Sequence, residues 1–318
     1  MCIRSQPLSI VGSGRAYVFL ILLALPTSAA AKSTIVLQDA IVGTARKTRL
    51  VAYVSRENLF GVPTDIEHAP VTFHAGSQEL GATTTDDEGM AVLECTLPDG
   101  DIRKIEARAK VGSKELRTEA AVHRWREDRI IIVVDIDDTI SRTDLDDLLF
   151  DEKDDDSRPL KHSSRVLRHL SKDYQILYLT ARPSFLLEKT RQWLEENDFP
   201  AAPVFVSHQK RDLLQQGVYK QRVLEDLQKT WPLALIGIGD RGTDAEAYGG
   251  SRMLCLIVNP NRKDRFGRHV LTLPDWKAID VFFATNRIIL NDPERLRRVI
   301  AGQEPFLHTL SPYDDTGK

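Results

Sequence analysis

Nothing in the charge balance of this chain argues for a nucleic-acid partner. Its 43 Lys and Arg stand against 46 Asp and Glu, a net charge of −3, with no basic surplus to meet a phosphate backbone. Cysteine is scarce, three in 318 residues. Cys2 lies at the start, and Cys95 and Cys255 sit in apolar, strand-like runs in different halves. An oxidising compartment would permit a disulfide between those two, although two buried free thiols are the plainer expectation. Long apolar runs are missing as well: Ala16–Leu25 falls short of the ~20 residues that cross a bilayer. No Cys stands near Ala31, which argues against a lipid-modified N-terminus there.

What is present at the start has a different meaning. Arg4 and Arg15 precede the apolar run, and Ala29-Ala30-Ala31 follows it. This is the three-part layout of a secretory signal, cleaved after Ala31, with a retained anchor as the alternative. The mature chain is then expected to begin near Lys32 and to work outside the cytoplasm, secreted or periplasmic. The expected division is 1–31 signal peptide, 32–126 β-sandwich domain and 127–318 catalytic domain.

From Thr34 to about Trp125 the pattern is short and alternating. Thr34–Leu37, Arg49–Val54, Val71–His74, Met90–Cys95, Ile102–Ala109 and Glu115–Val122 read as strands. Turn clusters separate them, among them Thr85-Asp86-Asp87-Glu88-Gly89 and Pro98-Asp99-Gly100. That spacing predicts an antiparallel β-sandwich. Ala69-Pro70-Val71-Thr72-Phe73 through Gly89-Met90-Ala91 resembles the Ig-like modules of bacterial secreted proteins. No cluster of His, Cys or carboxylates in this part suggests chemistry.

From Ile130 the pattern changes. Strand-like runs at Ile130–Val134, Gln175–Leu179, Val204–Val206, Leu233–Ile238 and Leu254–Val258 alternate with helical patterns at Ser163–Ser171, Ser184–Asn197 and Tyr219–Thr230. Such alternation predicts an α/β fold, a parallel sheet with helices on both faces, whose chemistry gathers beyond the carboxyl ends of the strands. Four groups collect there. Asp135-Ile136-Asp137-Asp138-Thr139 ends the first strand, and Thr180-Ala181-Arg182 ends the second. Lys220 opens the helix before the fourth strand, and Gly239-Asp240-Arg241-Gly242-Thr243-Asp244 ends that strand.

One reaction fits the set. A carboxylate at a strand end, Asp135, can attack phosphorus and form an aspartyl-phosphate. Asp137, two residues on and on the same side of an extended chain, can protonate the leaving alcohol and then activate water. Thr180 and Lys220 can stabilise the phosphoryl oxygens. Crowded carboxylates repel, and Mg²⁺, a hard ion that takes oxygen ligands, relieves this. Asp135, Asp137, Asp240 and Asp244 are the candidate ligands, Asp244 either as a ligand or as an orienting group. Thr139 and Arg182 are the candidates for substrate binding, Arg182 because guanidinium suits phosphate; its alternative is a salt bridge.

These four groups in this order resemble the haloacid dehalogenase (HAD) superfamily, which implies a Rossmann-like sheet and an aspartyl-phosphate mechanism. A closer resemblance lies in the neighbours: Tyr178-Leu179-Thr180-Ala181-Arg182-Pro183, then Thr190-Arg191-Gln192-Trp193-Leu194, then Ile236-Gly237-Ile238-Gly239-Asp240-Arg241-Gly242-Thr243-Asp244. This run is similar to the catalytic domain of lipin-type phosphatidate phosphatases and to the related domain that ends the large phosphatidylinositol-transfer proteins. The transfer proteins lack the full aspartate set, whereas Asp135 and Asp137 are both kept here. Lipins carry Asn where this chain has Asp240 and Gly where it has Asp138. The form D-x-D-D-T is similar to a second, yeast-type group of phosphatidate phosphatases. The resemblance implies Mg²⁺ and a phosphomonoester substrate, a lipid phosphate first, with a non-lipid phosphomonoester or a non-catalytic anionic-lipid-binding module as the alternatives.

The interval from Thr139 to Thr180 is too short for a cap domain, which predicts an open site. Its acidic segment, Asp144–Asp156, lacks the Gly and Glu spacing of a calcium loop and reads as a solvated flap facing away from phosphate. His208, Lys210 and Arg211 form a small basic cluster, a candidate for peripheral membrane contact. Trp125, Trp193 and Trp231 are expected in the core or at a domain interface. After Asn286 the chain reads as a strand-like end and then a helix from Pro293 to Ala301.

Overall fold

The structure is a computed structural model, and it describes residues 32–57, 63–142, 158–208, 212, 215–258 and 270–305. The signal segment, the acidic run Asp144–Asp156, and Lys210 with Arg211 lie outside the described residues.

Nine short strands build the N-terminal part: β1 (Ser33–Leu37), β2 (Ala40–Val42), β3 (Lys47–Glu57), β4 (Pro63–Asp65), β5 (Pro70–Ala75), β6 (Gln78–Thr84), β7 (Met90–Thr96), β8 (Lys104–Val111) and β9 (Lys114–Arg124). In one sheet β3 pairs with β1, β4 and β7; the other runs β2-β9-β8-β5-β6. All six strands read from the alternation are present, and β2, β4 and β6 are added to them. One pairing departs from the antiparallel expectation, because β2 runs parallel to β9. The period of two sorts β3 by face. Leu50, Ala52 and Val54 enter the sandwich core with Leu37, Val71 and Phe73, while Val51 and Tyr53 line a cavity of about 980 Å³ shared with the second part of the chain.

That second part is an α/β layer structure. Its strands are β10 (Ile131–Val134), β11 (Gln175–Pro183), β12 (Val204–Ser207), β13 (Ala234–Gly239), β14 (Leu254–Val258) and β15 (Val270–Leu273). Its helices are α1 (Ser163–Leu170), α2 (Leu187–Glu196), α3 (Gln216–Thr230), α4 (Gly242–Gly250), α5 (Trp276–Thr285), α6 (Arg287–Leu290) and α7 (Pro293–Ile300), with a 3₁₀ turn at Ser184–Leu186 ahead of α2. The sheet order is β12-β11-β10-β13-β14-β15, and every pairing in it is parallel. β10, β11, β13 and β14 are buried throughout, as expected where helices cover both faces. Ile132, Val134, Tyr178 and Ile236 face α1, α2, α5 and α7. Ile131, Val133, Leu179 and Ile257 face α3 and α4, and Ile41 and Trp125 extend this second core toward the sandwich. Trp125 meets Trp231 edge to face at 5.3 Å, and Trp193 stacks on Phe199 at 5.3 Å, so these tryptophans are packing residues.

The apolar run after Asn286 is corrected from strand to helix: it forms the single turn α6, burying Ile289 and Leu290 and exposing Ile288. Three branched residues in a row cannot separate one helical turn from a strand by pattern alone. Cys95 is half-buried, Cys255 is buried, and both are free thiols. Among the described residues no helix is long and apolar enough to cross a membrane.

Gly237, in the middle of β13, shows how closely α4 sits on the sheet. A Cβ at this position would stand 2.3 Å from the Tyr248 ring. Gly237→Ala is expected to lower the unfolding free energy by about 2–3 kcal/mol through overpacking. Urea denaturation of the full chain would read this, and an unchanged midpoint would contradict the contact.

Candidate active site

Strand order decides where the side chains meet. In chain order the sheet reads 3-2-1-4-5-6. The connections leave in opposite directions between β10 and β13, and the crevice beyond their carboxyl ends is the general ligand position in such sheets. Asp135 leaves β10 at this point, its N–H still bonded to Ile238 O at 2.9 Å. Asp240 leaves β13 beside it. The chain after Asp135 turns tightly, and the N–H groups of Thr139, Ile140 and Ser141 all point to Ile136 O. Asp138 takes the left-handed conformation, φ 56°, which Gly adopts freely and Asp tolerates better than most residues. Its carboxylate pairs with Arg241 Nη2 at 2.8 Å. Trp276 Nε1, from α5 beneath, donates to Thr139 O at 2.8 Å and holds the turn from behind.

Lys220 enters from α3. The helix begins at Gln216, so Lys220 sits one turn inside it, where the sequence reading placed it at the start. It is buried and donates to Asp135 Oδ1 and Asp244 Oδ1, both at 2.6 Å. The other oxygen of Asp244 accepts from the N–H groups of Asp240 (3.1 Å) and Arg241 (3.2 Å). Gly239 makes room for this, because a Cβ there would lie 2.5 Å from the Asp244 carboxylate. Oxygens of Asp135, Asp240 and Asp244 lie within 4.8 Å of one another, and all three residues are buried.

Three expected site residues have particular partners in the structure. Asp137 was expected among the metal ligands; its carboxylate is not among the grouped trio and is met by Arg182 and Thr180. Arg182 donates to it from Nε at 3.1 Å and from Nη2 at 2.7 Å, and Thr180 Oγ1 donates at 3.2 Å. Arg182 was expected on the substrate. It is buried in the salt bridge to Asp137, the alternative that the sequence left open, and its remaining nitrogen, Nη1, donates to Thr190 Oγ1 at 3.1 Å. Thr139, also expected on the substrate, is fully buried and donates between Asp135 Oδ2 (3.2 Å) and Asp240 Oδ1 (3.4 Å). A long side chain in sequence carries no sign of which neighbour will claim it. Gln216 and Arg241 were missed, yet both line the crevice with Asp135, Asp137, Thr180 and Lys220. The signals were there: Gln216 stands four residues before Lys220 on the same helix face, and Arg241 lies between Asp240 and Asp244. The basic cluster after β12 is also corrected in part, because His208 turns inward to the sandwich and stacks on Tyr53 at 4.2 Å.

Charge explains the chemistry available. With every group ionised, Asp135, Asp137, Asp138, Asp240 and Asp244 supply five negative charges and Arg182, Lys220 and Arg241 three positive ones, so the fully ionised set is two positive charges short. Burial pushes the Asp135 carboxyl up to about 8; Lys220 opposes this, and Asp244, Asp137 and Asp240 reinforce it. Burial alone would lower the Lys220 ammonium, but Asp135 and Asp244 outweigh it and hold the pKa well above its ordinary value. A donor set of hard oxygens lacking two positive charges suits Mg²⁺.

The family comparison falls on this same region. Residues 132–253 match the family described as PITM 1-3, LNS2 domain, a segment that contains all eight expected site residues. Over 177 residues the chain is 27% identical to phosphatidate phosphatase PAH1 of Arabidopsis thaliana, covering 48% of this chain and 19% of that protein's length. Among solved structures, the M1 domain from titin is 11% identical and covers 29% of this chain and 94% of that one, with a TM-score of 0.20. Gene product AF1437 from Archaeoglobus fulgidus is 8% identical and covers 55% and 87%, with a TM-score of 0.36. Scores this low carry no argument about this chain.

The raised Asp135 carboxyl has a consequence for stability. The folded protein binds that proton more tightly than the unfolded chain, whose carboxyl titrates at about 4. With a chelator present, the stability that this one group contributes is therefore full below about 4 and lost as pH rises through about 8. Melting temperatures across this window should show the loss with chelator and not with Mg²⁺. Asp135→Asn should remove it, and a loss that persists in that variant would assign it to another group.

Proposed function

We propose that this chain is a Mg²⁺-dependent phosphomonoester hydrolase of the HAD type that acts on a lipid phosphate, phosphatidate or a close relative, through an aspartyl-phosphate. One observation carries the reading: a buried carboxylate, Asp135, stands at the switch point of a parallel sheet beside Lys220 and two further buried carboxylates. Similarity to a phosphatidate phosphatase over 48% of the chain supports the lipid. The sandwich is proposed as an Ig-like module ending near Trp125, and the residues before Lys32 as a secretory leader.

Asp135, Asp240 and Asp244 would hold the Mg²⁺, whose chemistry when bound is to neutralise charge on the phosphoryl oxygens. Asp135 attacks phosphorus as the bond to the alcohol oxygen breaks, and that oxygen takes the proton held by Asp137. Arg182 and Thr180 fix Asp137 for this transfer. Lys220 stabilises charge developing on the transferred group and keeps Asp135 oriented. Water then attacks the acyl phosphate and gives a proton to Asp137, releasing phosphate and regenerating both aspartates.

The match to the PITM family favours one other reading, a non-catalytic module that binds anionic lipid. Phosphate release separates the two. Phosphatidate in mixed micelles, a soluble aryl phosphate and a phosphopeptide would each be offered with Mg²⁺ and with chelator. Mg²⁺-dependent release from phosphatidate is expected, with Asp135→Asn lowering it at least about 1000-fold. Release from the soluble esters alone would remove the lipid from the proposal, and no release from any substrate would leave the binding module.

A further inference from the structure

β12 is the edge strand of the catalytic sheet, and the sandwich grips it at both ends. At its start, Val204 N–H donates to Asp39 Oδ2 at 3.0 Å. Asp39 is itself buried and fixed by Ala121 N at 3.1 Å and Arg191 Nη2 at 2.8 Å. At the other end stands His208. Its Nε2 lies 2.6 Å from Glu88 O and 3.3 Å from Asp65 Oδ1, and its ring stacks on Tyr53 with 21° between the planes. All three partners belong to the sandwich.

The hydrogen bonds of His208 have a direction. A carbonyl only accepts, so Nε2 donates to Glu88. Burial pushes the imidazole pKa down, which favours the neutral ring, and Nδ1 then accepts from the Ser184 hydroxyl at 2.9 Å. Ser184 lies two residues beyond Arg182, whose guanidinium aims Asp137. The neighbouring Ser207 donates to Ala181 O at 2.9 Å, between Thr180 and Arg182. The end of β12 thus fastens the segment Thr180–Ser184 from behind, and the sandwich fastens the end of β12.

We propose that His208 is a positioning residue, through which the sandwich domain sets the placement of Arg182 and hence of Asp137. The sandwich is on this account a working part of the active site. The proposal rests on the phosphatase reading above, and the experiment keeps the two apart.

Two variants of the full chain serve. His208→Phe keeps a ring on Tyr53 and removes both hydrogen bonds. His208→Gln offers a donor and an acceptor at a spacing like that of the imidazole nitrogens and restores the link. With the soluble aryl phosphate and Mg²⁺, His208→Phe is expected to lower kcat about tenfold at unchanged KM, the mark of lost alignment. His208→Gln is expected to stay within about threefold of the parent. Amide hydrogen exchange across Thr180–Ser184 should quicken about tenfold in His208→Phe and stay at the parent rate in His208→Gln, while α5 and α7 are unaffected. Parent-like kcat and exchange in His208→Phe would overturn the proposal. So would loss spread across the whole fold in both variants. If the parent chain releases no phosphate, the phosphatase reading falls by that result, and the exchange data still decide whether His208 holds the segment.

Discussion

The contact on which the site depends is the one Lys220 makes with Asp135 and Asp244 at the same time, out of water, at 2.6 Å. Removing such charges from solvent costs several kcal/mol per ion, so each must be met closely. The surroundings follow from this demand. Gly239 clears the space that lets Asp244 lie against the strand end. Backbone N–H groups at the start of α4 take its second oxygen. Thr139 bridges Asp135 and Asp240, and Trp276 fixes the turn that carries Thr139. A buried crowd of oxygen donors with a surplus of negative charge suits a divalent ion.

The sheet explains why these groups can be both buried and accessible. Its central strands are apolar on both faces, so helices must cover both. The polar residues are left to the edge where the strands stop. Only between β10 and β13 do the connections diverge, and there the crevice opens.

The strands of the parallel sheet were legible because continuous runs of Ile, Val and Leu allow little else, and the candidate site residues could be singled out because each stands at the end of such a run or one turn into a helix. What was not legible had particular causes. α4, Gly-Thr-Asp-Ala-Glu-Ala-Tyr-Gly-Gly, contains three glycines and has little intrinsic preference for helix; its first turn is held by Asp244 and its body by packing of Tyr248 on Gly237. β15, four residues with only Leu273 buried, offers too short an alternation. The partners of Arg182 and Thr139 are set by the fold, since Thr190 and Asp240 approach them from elsewhere in the chain. Asp138 is the converse case: a residue type that tolerates a positive φ stands where the turn requires one.

The covered edge at β12 has a meaning beyond the site. A strand that ends a sheet offers unpaired N–H and C=O groups to any extended segment that reaches it, and proteins blunt such edges to keep chains from joining through them. Here the blunting is done by another part of the same polypeptide, with Asp39 placed against Val204 and the Tyr53 ring against His208. Divided from its sandwich, the α/β part would present that edge bare to any extended segment that reaches it.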